Sequence, residues 1–333
     1  MPSHDTTSAS SRAVGNTVLT VIGESLVDII IDGQRAAATQ AHPGGSPLNL
    51  AVGAARLDLR TTLVTHYAAD PYGLMIEDHL QSNGVDVING GTAPTSTAVA
   101  TLNADGAAEY TFAIRWDING ASLPALAAVE GSTHVHTGSI ATVLGPGDQV
   151  TLALVKAAHG HATVSYDPNC RPAISPDSVA ARRQVELFVA ASDIVKASDE
   201  DLHWLYPNRT PDETLEAWLG LGPAMVALTR GDAGPIILSA RGRVEMAAEP
   251  ITVADTVGAG DSYMAGLISG LAQLGGLGAT GRQRLQTLTL DQLYALAAYA
   301  NRAAAITCSR QGASPPWSAE LGLLPAPSQA QER

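Results

Sequence analysis

Short runs of branched aliphatic residues recur along the chain, and runs of this length and composition predict strands of a buried sheet. They lie at Val18–Ile22, Thr61–Thr65, His134–Thr137, Ala162–Ser165, Ile194–Ala197, Met225–Thr229 and Pro235–Leu238. Helical patterns lie between several of them, at Pro47–Leu57, Pro71–Asn83, Pro146–Ala158, Pro176–Ala191 and Pro211–Leu219. This alternation predicts an α/β fold in which helices cover a mostly parallel sheet.

Two regions interrupt the alternation, residues 29–41 and 97–117, which carry short strand-like pieces and no helical pattern. The second contains Ala104-Asp105-Gly106, which has the composition of a turn. We expect both regions to be β-excursions from the core. The alternative interpretation is a pair of surface hairpins without a function.

The pattern indicates a single domain over residues 17–320, because no linker is long enough to separate two units. Residues 1–16 are rich in Ser, Thr and Ala without an apolar segment, so we expect a disordered leader and not a signal peptide. Residues 321–333 are expected to form a flexible tail.

Composition narrows the function classes. The net charge of −13 argues against a nucleic-acid partner or an anionic membrane, since either requires a basic surface. The apolar stretch Leu293–Cys308 is interrupted by Asn301 and Arg302 and is short for a bilayer span. Two cysteines, Cys170 and Cys308, make no disulfide framework and favour a reducing, cytoplasmic setting.

The segment Asp255-Thr256-Val257-Gly258-Ala259-Gly260-Asp261 carries the most specific chemistry, because it precedes an apolar helical pattern directly. Amides at a helix start lack intrahelical partners, so those of Gly258, Ala259 and Gly260 could bind a phosphate oxygen. The Asp261 carboxylate could then take the proton of an attacking hydroxyl. Taken alone, the segment could equally be a Gly-rich turn whose Asp caps a helix.

Two further motifs support the phosphate interpretation. They are Pro43-Gly44-Gly45-Ser46-Pro47-Leu48-Asn49-Leu50-Ala51 and Asp167-Pro168-Asn169-Cys170-Arg171. With the first segment they make the chain resemble the ribokinase-like (PfkB) family of carbohydrate kinases from residue 18 to residue 317, with the nearest likeness to bacterial fructokinases. The resemblance implies a three-layer sandwich and a small β lid, formed by residues of about 29–42 and 97–117, that covers the sugar site and can build a homodimer contact.

The resemblance also implies an activity, transfer of the γ-phosphate of ATP to a hydroxyl of a neutral monosaccharide. Fructose is the leading acceptor, with 2-keto-3-deoxygluconate, ribose and a nucleoside as alternatives in that order. Ser46 stands where relatives acting on phosphorylated sugars often have Lys, which favours a neutral sugar. The expected acceptor-binding residues are Asp28, Gly44, Gly45, Asn49, Arg115, Arg171 and Asp261.

The same resemblance assigns residues to ATP and to ions. The expected nucleotide-binding residues are Lys196, Ser198, Thr229, Arg230, Gly231, Gly234, Gly258, Gly260 and Asn301. Asp201 is expected to hold Mg²⁺ through water, with Glu200 as its neighbouring alternative, although relatives have a longer Glu at this position. Asp255 and Thr256 match residues that help hold a monovalent cation, K⁺, with carbonyls of the loop Cys308–Ser314.

Two other classes fit the sequence less well. A dinucleotide-binding oxidoreductase is disfavoured because Gly23-Glu24-Ser25-Leu26 follows the first strand without a GxGxxG pattern. A sugar-binding regulator on the same fold would not require Asp261 and the intact glycine-rich run. His134 and His136 share one strand face without a third ligand, so we expect them to be structural.

Overall fold

A computed structural model of the protein describes residues 14, 16–32, 39–102 and 108–326. Most of the predicted leader, the predicted turn at 104–106 and the tail beyond residue 326 lie outside the described residues, so these predictions stay untested.

The described residues form two β-sheets. The strands are β1 Val18–Ile22, β2 Leu26–Asp32, β3 Thr39–Gly44, β4 Arg60–Thr65, β5 Asp86–Asn89, β6 Ser96–Leu102, β7 Ala108–Ala113, β8 His134–Gly138, β9 Thr163–Asp167, β10 Ile194–Ser198, β11 Met225–Thr229, β12 Ile236–Ser239 and β13 Gly242–Glu245. The larger sheet has nine strands in the order β13-β12-β11-β10-β9-β8-β1-β4-β5. Its strands are parallel except at the β11-β12-β13 edge, which is antiparallel.

Helices cover both faces of the larger sheet. They are α1 Ser46–Arg56, α2 Pro71–Ser82, α3 Ser122–Glu130, α4 Gly147–Ala157, α5 Ser178–Ala190, α6 Asp199–Leu205, α7 Pro211–Leu219, α8 Ala259–Gln273, α9 Gly281–Gln286, α10 Leu290–Cys308 and α11 Ser318–Leu321. Successive strand residues point to opposite faces, so Val21 joins the core under α1, α2, α8 and α10, whereas Ile22 joins the core under α3 to α7. The predicted three-layer α/β sandwich is confirmed.

The two regions without helices form the smaller sheet, in the order β3-β2-β6-β7. The central pair, β2 and β6, is parallel, and each outer strand pairs in the antiparallel direction. Strand β2 begins at Leu26, earlier than the predicted excursion, so Asp28 lies inside this strand. The sequence patterns also missed β5, α3 and α6, which are short and only weakly periodic.

Helix α8 is held by close contacts with its two neighbours. A Cβ added at Gly266 would lie 3.0 Å from the Cβ of Ala303 on α10, and one added at Gly53 on α1 would lie 3.1 Å from the Cβ of Ala265. Small residues therefore let α1 and α10 approach α8 closely, which fixes the N-terminus of α8 relative to α1. None of the helices in the described part of the chain combines the length and apolar content needed to cross a membrane.

Candidate active site

Two cavities open beyond the carboxyl ends of the central strands, and they meet at the N-terminus of α8. We call them the acceptor cavity and the nucleotide cavity, with volumes of about 450 Å³ and 570 Å³. Both are lined by Thr229, Gly231, Thr256, Ala259 and Gly260. This edge of an open α/β sheet is where such folds bind ligands.

The N-terminus of α8 has the backbone conformation that the glycine-rich segment predicts. Gly258 caps the helix in the left-handed region, at φ 75°, and a Cβ added there would lie 2.7 Å from the Cβ of Ala313. The N–H of Ala259 donates to the carbonyl of Thr256 at 3.2 Å, so this amide is already engaged. Helix geometry leaves the amides of Gly260 and Asp261 without intrahelical partners, so these two and the predicted amide of Gly258 are the donors available to an anion.

Asp261 lines the acceptor cavity, next to Gly260, which lines both cavities, and is 6% exposed. Its carboxylate accepts one hydrogen bond from Ser46 Oγ at 2.6 Å and another from Asn49 Nδ2 at 2.9 Å. Both donors lie in the first turn of α1, and Gly45 precedes them at φ 110°. Helix α1 thus holds the predicted base in one orientation, which is a role for Ser46 that the sequence did not predict.

Lys196 lies beside the start of α8, where the predicted phosphate site requires positive charge. It is 3% exposed, and its Nζ donates to Asp167 Oδ2 at 2.8 Å. A Cβ added at Gly260 would lie 2.8 Å from this Nζ, so the ammonium borders the helix terminus. Burial lowers the pKa of Lys196, but the adjacent Asp167 carboxylate outweighs burial and raises it, so the side chain is held charged.

Strand β2 contributes Asp28 to the wall of the acceptor cavity. Asp28 is exposed at the cavity mouth, but the protein around its carboxyl keeps water away and so raises its pKa. The positive charge of Arg171 opposes this rise. A Cβ added at Gly44 on β3 would lie 2.2 Å from Asp28 Oδ2, so glycine there leaves room for the carboxylate. Gly44 therefore shapes the cavity without lining it.

The two predicted arginines of the acceptor site differ in position. Arg171 borders the cavity, but its Nη1 donates to Asn169 O and Oδ1 and to Cys170 O within its own loop. Arg115 is exposed after β7 and does not line the cavity. Contact between Arg115 and a sugar therefore stays a prediction.

Asp201 is buried in a capping box at the start of α6. Its Oδ2 accepts from the N–H and the Oγ of Ser198, at 2.9 and 2.8 Å, and its Oδ1 accepts from the N–H of Cys170 at 2.6 Å. These bonds join the end of β10 to the loop after β9. Among the described residues, no group of three or more His, Cys, Asp and Glu side chains is arranged to hold a metal ion.

The nucleotide cavity is mostly apolar, with Pro235, Ile251, Val253 and Ala304 among its lining residues. The predicted polar residues on its wall are partly engaged with the protein. Arg230 bonds to Glu245 at 2.8 Å and to carbonyls of its own turn, while Asn301 Nδ2 donates to Ala247 O at 3.0 Å. Gly231 and Gly234 form that turn, at φ 52° and 76°.

The predicted monovalent-cation segment is held together by the Asp255 carboxylate. It accepts from the N–H of Val257 at 3.0 Å and from the N–H of Gly312 at 2.9 Å. These backbone hydrogen bonds lower the pKa of Asp255 and tie the loop before α8 to the loop after α10. The two loops whose carbonyls the prediction assigns to K⁺ are therefore neighbours.

A comparison with protein families matches residues 16–320 to the pfkB family carbohydrate kinases. The chain is 31% identical over 258 residues to a fructokinase of Rhizobium leguminosarum bv. trifolii, covering 75% of this chain and 78% of that protein. It is 32% identical over 275 residues to a fructokinase of Klebsiella pneumoniae, covering 78% of this chain and 86% of that protein.

Solved structures give the same fold. A fructokinase from Xylella fastidiosa with bound ATP superposes with a TM-score of 0.80 at 22% identity, covering 92% of this chain and 96% of that one. A fructokinase from Vibrio cholerae O395 with fructose, ADP and calcium ion bound has a TM-score of 0.72 at 25% identity. The match covers 95% of this chain and 98% of that one.

The fold is that of an α/β protein with two cavities that share residues at one helix N-terminus. The chain belongs to the pfkB family, and the protein is a carbohydrate kinase.

Proposed function

We propose that the protein transfers the γ-phosphate of ATP to a hydroxyl of a neutral monosaccharide, with fructose as the acceptor and Asp261 as the base. The observation that carries this proposal is the position of the Asp261 carboxylate. It lines the acceptor cavity directly after Gly260, which lines both cavities, and two hydrogen bonds from α1 orient it.

In this mechanism the acceptor hydroxyl lies against Asp261, which takes its proton as the oxygen attacks the γ-phosphorus. The amides at the start of α8 and the Lys196 ammonium stabilise the negative charge on the transferring group. Orientation of the two substrates contributes as well, since the cavities meet at the same helix terminus. The apolar nucleotide cavity suits a purine base, and Thr229 and Gly231 lie on the path between base and reaction centre.

The donor is proposed to be the magnesium complex of ATP. Asp201 already accepts three hydrogen bonds and lines neither cavity, whereas its neighbouring alternative Glu200 lines the acceptor cavity, so Glu200 is the better placed of the two to hold a water of the metal ion. Magnesium usually keeps several waters and needs few protein ligands, which fits this arrangement. When bound, the ion would neutralise phosphate charge. Carbonyls of the loops joined by Asp255 are the proposed ligands of K⁺.

Fructose is favoured by two observations. The relatives from Rhizobium leguminosarum and Klebsiella pneumoniae are both named fructokinases. Helix α1 begins with Ser46 in the acceptor cavity, and the loop before it has no lysine for the phosphate of a sugar phosphate. The hydroxyl of Ser46 is engaged with Asp261, so this residue serves the base and leaves the cavity open to a neutral sugar.

A homodimer through the smaller sheet also remains a proposal. In register, Ile30 pairs with Ala100 and Ala100 with Tyr110, so their side chains share one sheet face. Ile30, Tyr110 and Phe112 are 39%, 61% and 37% exposed, and the two aromatic rings stack at 6.0 Å. An exposed apolar face of this kind favours a protein contact.

The experiment that tests the function measures ADP release from magnesium-ATP with fructose, 2-keto-3-deoxygluconate, ribose, mannose, fructose 6-phosphate and adenosine. The proposal predicts the highest kcat/KM for fructose and no ADP release with fructose 6-phosphate. A higher kcat/KM for another sugar would replace the acceptor and retain the mechanism. Failure of every acceptor, with sugar binding preserved, would favour a sugar-binding regulator.

A further inference from the structure

Glu24 and Ser139 lie together at the floor of the acceptor cavity, and neither has a part in the proposed phosphoryl transfer. Glu24 follows β1 and Ser139 follows β8, and these strands pair in parallel with Ile22 opposite Thr137. Their ends therefore meet at the same edge of the sheet. Both side chains line the cavity, although Glu24 is only 1% exposed and Ser139 only 2%.

Ser139 has two features that a purely structural serine would not require. Its Oγ is buried and makes no hydrogen bond of ordinary geometry within the described residues, although it lies near enough to Glu24 to lower the pKa of that carboxyl. Its backbone lies at φ 55°, in the left-handed region that non-glycine residues rarely adopt, and the carbonyl accepts from Thr142 Oγ1 at 2.9 Å. Unsatisfied buried hydroxyls and strained backbone are both uncommon, and such strain clusters at ligand-binding sites.

Glu24 is the polar neighbour of this hydroxyl. Its Oε2 accepts from the N–H of Ala141 at 3.1 Å. Burial raises the pKa of Glu24 to about 7, although the Ser139 hydroxyl beside it and the more distant Arg171 both oppose this rise. Keeping a carboxyl this dry costs free energy of folding, and groups perturbed in this way cluster at functional sites.

We propose that Glu24 and Ser139 form a second sugar-binding subsite, which recognises one acceptor hydroxyl other than the one that is phosphorylated. The sugar O–H donates to the Glu24 carboxyl, and the Ser139 hydroxyl donates to the same sugar oxygen. A buried donor and acceptor that converge on one hydroxyl reject an analogue lacking it, because both are then left unpaired. This proposal rests on the proposed sugar kinase activity, and it would make that activity specific for sugars that carry the recognised hydroxyl.

The test compares wild type with Ser139→Ala, Ser139→Gly and Glu24→Gln, using fructose and its monodeoxy analogues. In Glu24→Gln the new amide oxygen would accept from the Ala141 N–H, so only the NH₂ group, which cannot accept a hydrogen bond, would face the cavity. Glycine adopts φ 55° without strain, so Ser139→Gly removes the hydroxyl without adding backbone strain. Ser25→Ala is the matched control, because Ser25 adjoins Glu24 but bonds Thr65 and does not line the cavity.

For all three subsite variants we expect KM for fructose to rise roughly 3- to 10-fold. The kcat and KM for ATP should stay within about twofold, since the lost contact is not specific to the transition state. One monodeoxy analogue should have the same KM in wild type and variants, and it identifies the recognised hydroxyl. Ser139→Gly should show the higher KM without a large loss of melting temperature.

The contrary outcomes distinguish failure of the Glu24–Ser139 subsite from failure of the proposed sugar kinase activity. A wild type that phosphorylates fructose, with subsite variants whose KM matches that of Ser25→Ala, contradicts the subsite alone. An equal rise in KM for every analogue indicates general distortion of the cavity and also contradicts it. A wild type inactive on all sugars contradicts the proposed function and the subsite with it.

Discussion

Ser46 Oγ donates a 2.6 Å hydrogen bond to Asp261 Oδ1, joining two residues separated by 215 positions in the chain. Ser46 lies in the first turn of α1 and Asp261 in the first turn of α8. Since Asn49 donates to the other carboxylate oxygen, the base is held at two points by a single helix. The orientation of Asp261 therefore depends on the packing of α1 against α8.

This relationship predicts that Ser46→Ala lowers kcat roughly 3- to 30-fold, because a hydrogen bond to a charged group is lost and Asp261 is oriented by Asn49 alone. The KM for ATP should change little. Steady-state kinetics at saturating fructose measures this effect, and Ser46→Thr, which keeps the hydroxyl, is the control. A Ser46→Ala enzyme with the kcat of wild type would show that the contact does not serve catalysis.

Gly260→Ala should affect activity and stability differently. Alanine favours a helix over glycine by up to about 1 kcal/mol, which offsets part of the cost of shifting the buried Lys196, so the free energy of unfolding should change much less than the activity. The added methyl would lie 2.8 Å from Lys196 Nζ at the proposed phosphate site, so kcat should fall at least about tenfold. Urea unfolding and ADP release measure the two quantities.

The control for Gly260→Ala is Gly131→Ala. Gly131 ends α3 at φ −84°, away from both cavities, and an added Cβ there has no neighbour closer than 3.6 Å. It should leave kcat unchanged. Equal activity of Gly260→Ala and wild type would argue against a phosphate at the start of α8.

The buried His134 gives the fold a predictable pH dependence. Its ring bonds Thr163 Oγ1 and Ser165 Oγ, both at 2.8 Å, and burial lowers its pKa from 6.5 to about 3. Between pH 6.5 and 3 the unfolded chain therefore binds a proton that the native protein does not. The free energy of unfolding should fall as pH falls through this window, by up to about 1.4 kcal/mol per pH unit for this residue.

Urea unfolding at several pH values between 7 and 5 measures this slope. Glu24 contributes a slope of the opposite sign, so that stability from this residue increases as pH falls. Its raised pKa makes the native state bind the extra proton between pH 4.5 and about 7. The informative quantity is thus the difference between wild type and His134→Gln, whose slope should be shallower. Identical slopes would show that the native state does not lower the pKa of His134.

The fold could be predicted from the sequence where a hydrophobic pattern repeats. Buried strands such as Val18–Ile22 appear as apolar runs, and the start of α8 is indicated by the glycines before Asp261. The start of α5 was predicted at Pro176 but lies at Ser178. There Asp177 caps the helix by accepting the N–H groups of Val179 and Ala180.

The contacts within the site could not be predicted, because they join residues far apart in the chain. Ser46 and Asn49 are three residues apart and thus share a helix face, a signal that could have grouped them. Their partner Asp261 appears only when α1 packs against α8. Likewise, Ser198 and Asp201 have capping-box spacing, but the pairing of Lys196 with Asp167 depends on the order of β9 and β10 in the sheet.

The most direct test of the account is ADP release from magnesium-ATP with and without fructose, for wild type and Asp261→Asn. Asparagine keeps the size of the side chain but cannot take the proton, so fructose-dependent turnover should fall roughly 10²- to 10⁴-fold while fructose binding, measured by calorimetry, persists. An Asp261→Asn enzyme that phosphorylates fructose at the wild-type rate would contradict the assignment of Asp261 as the base.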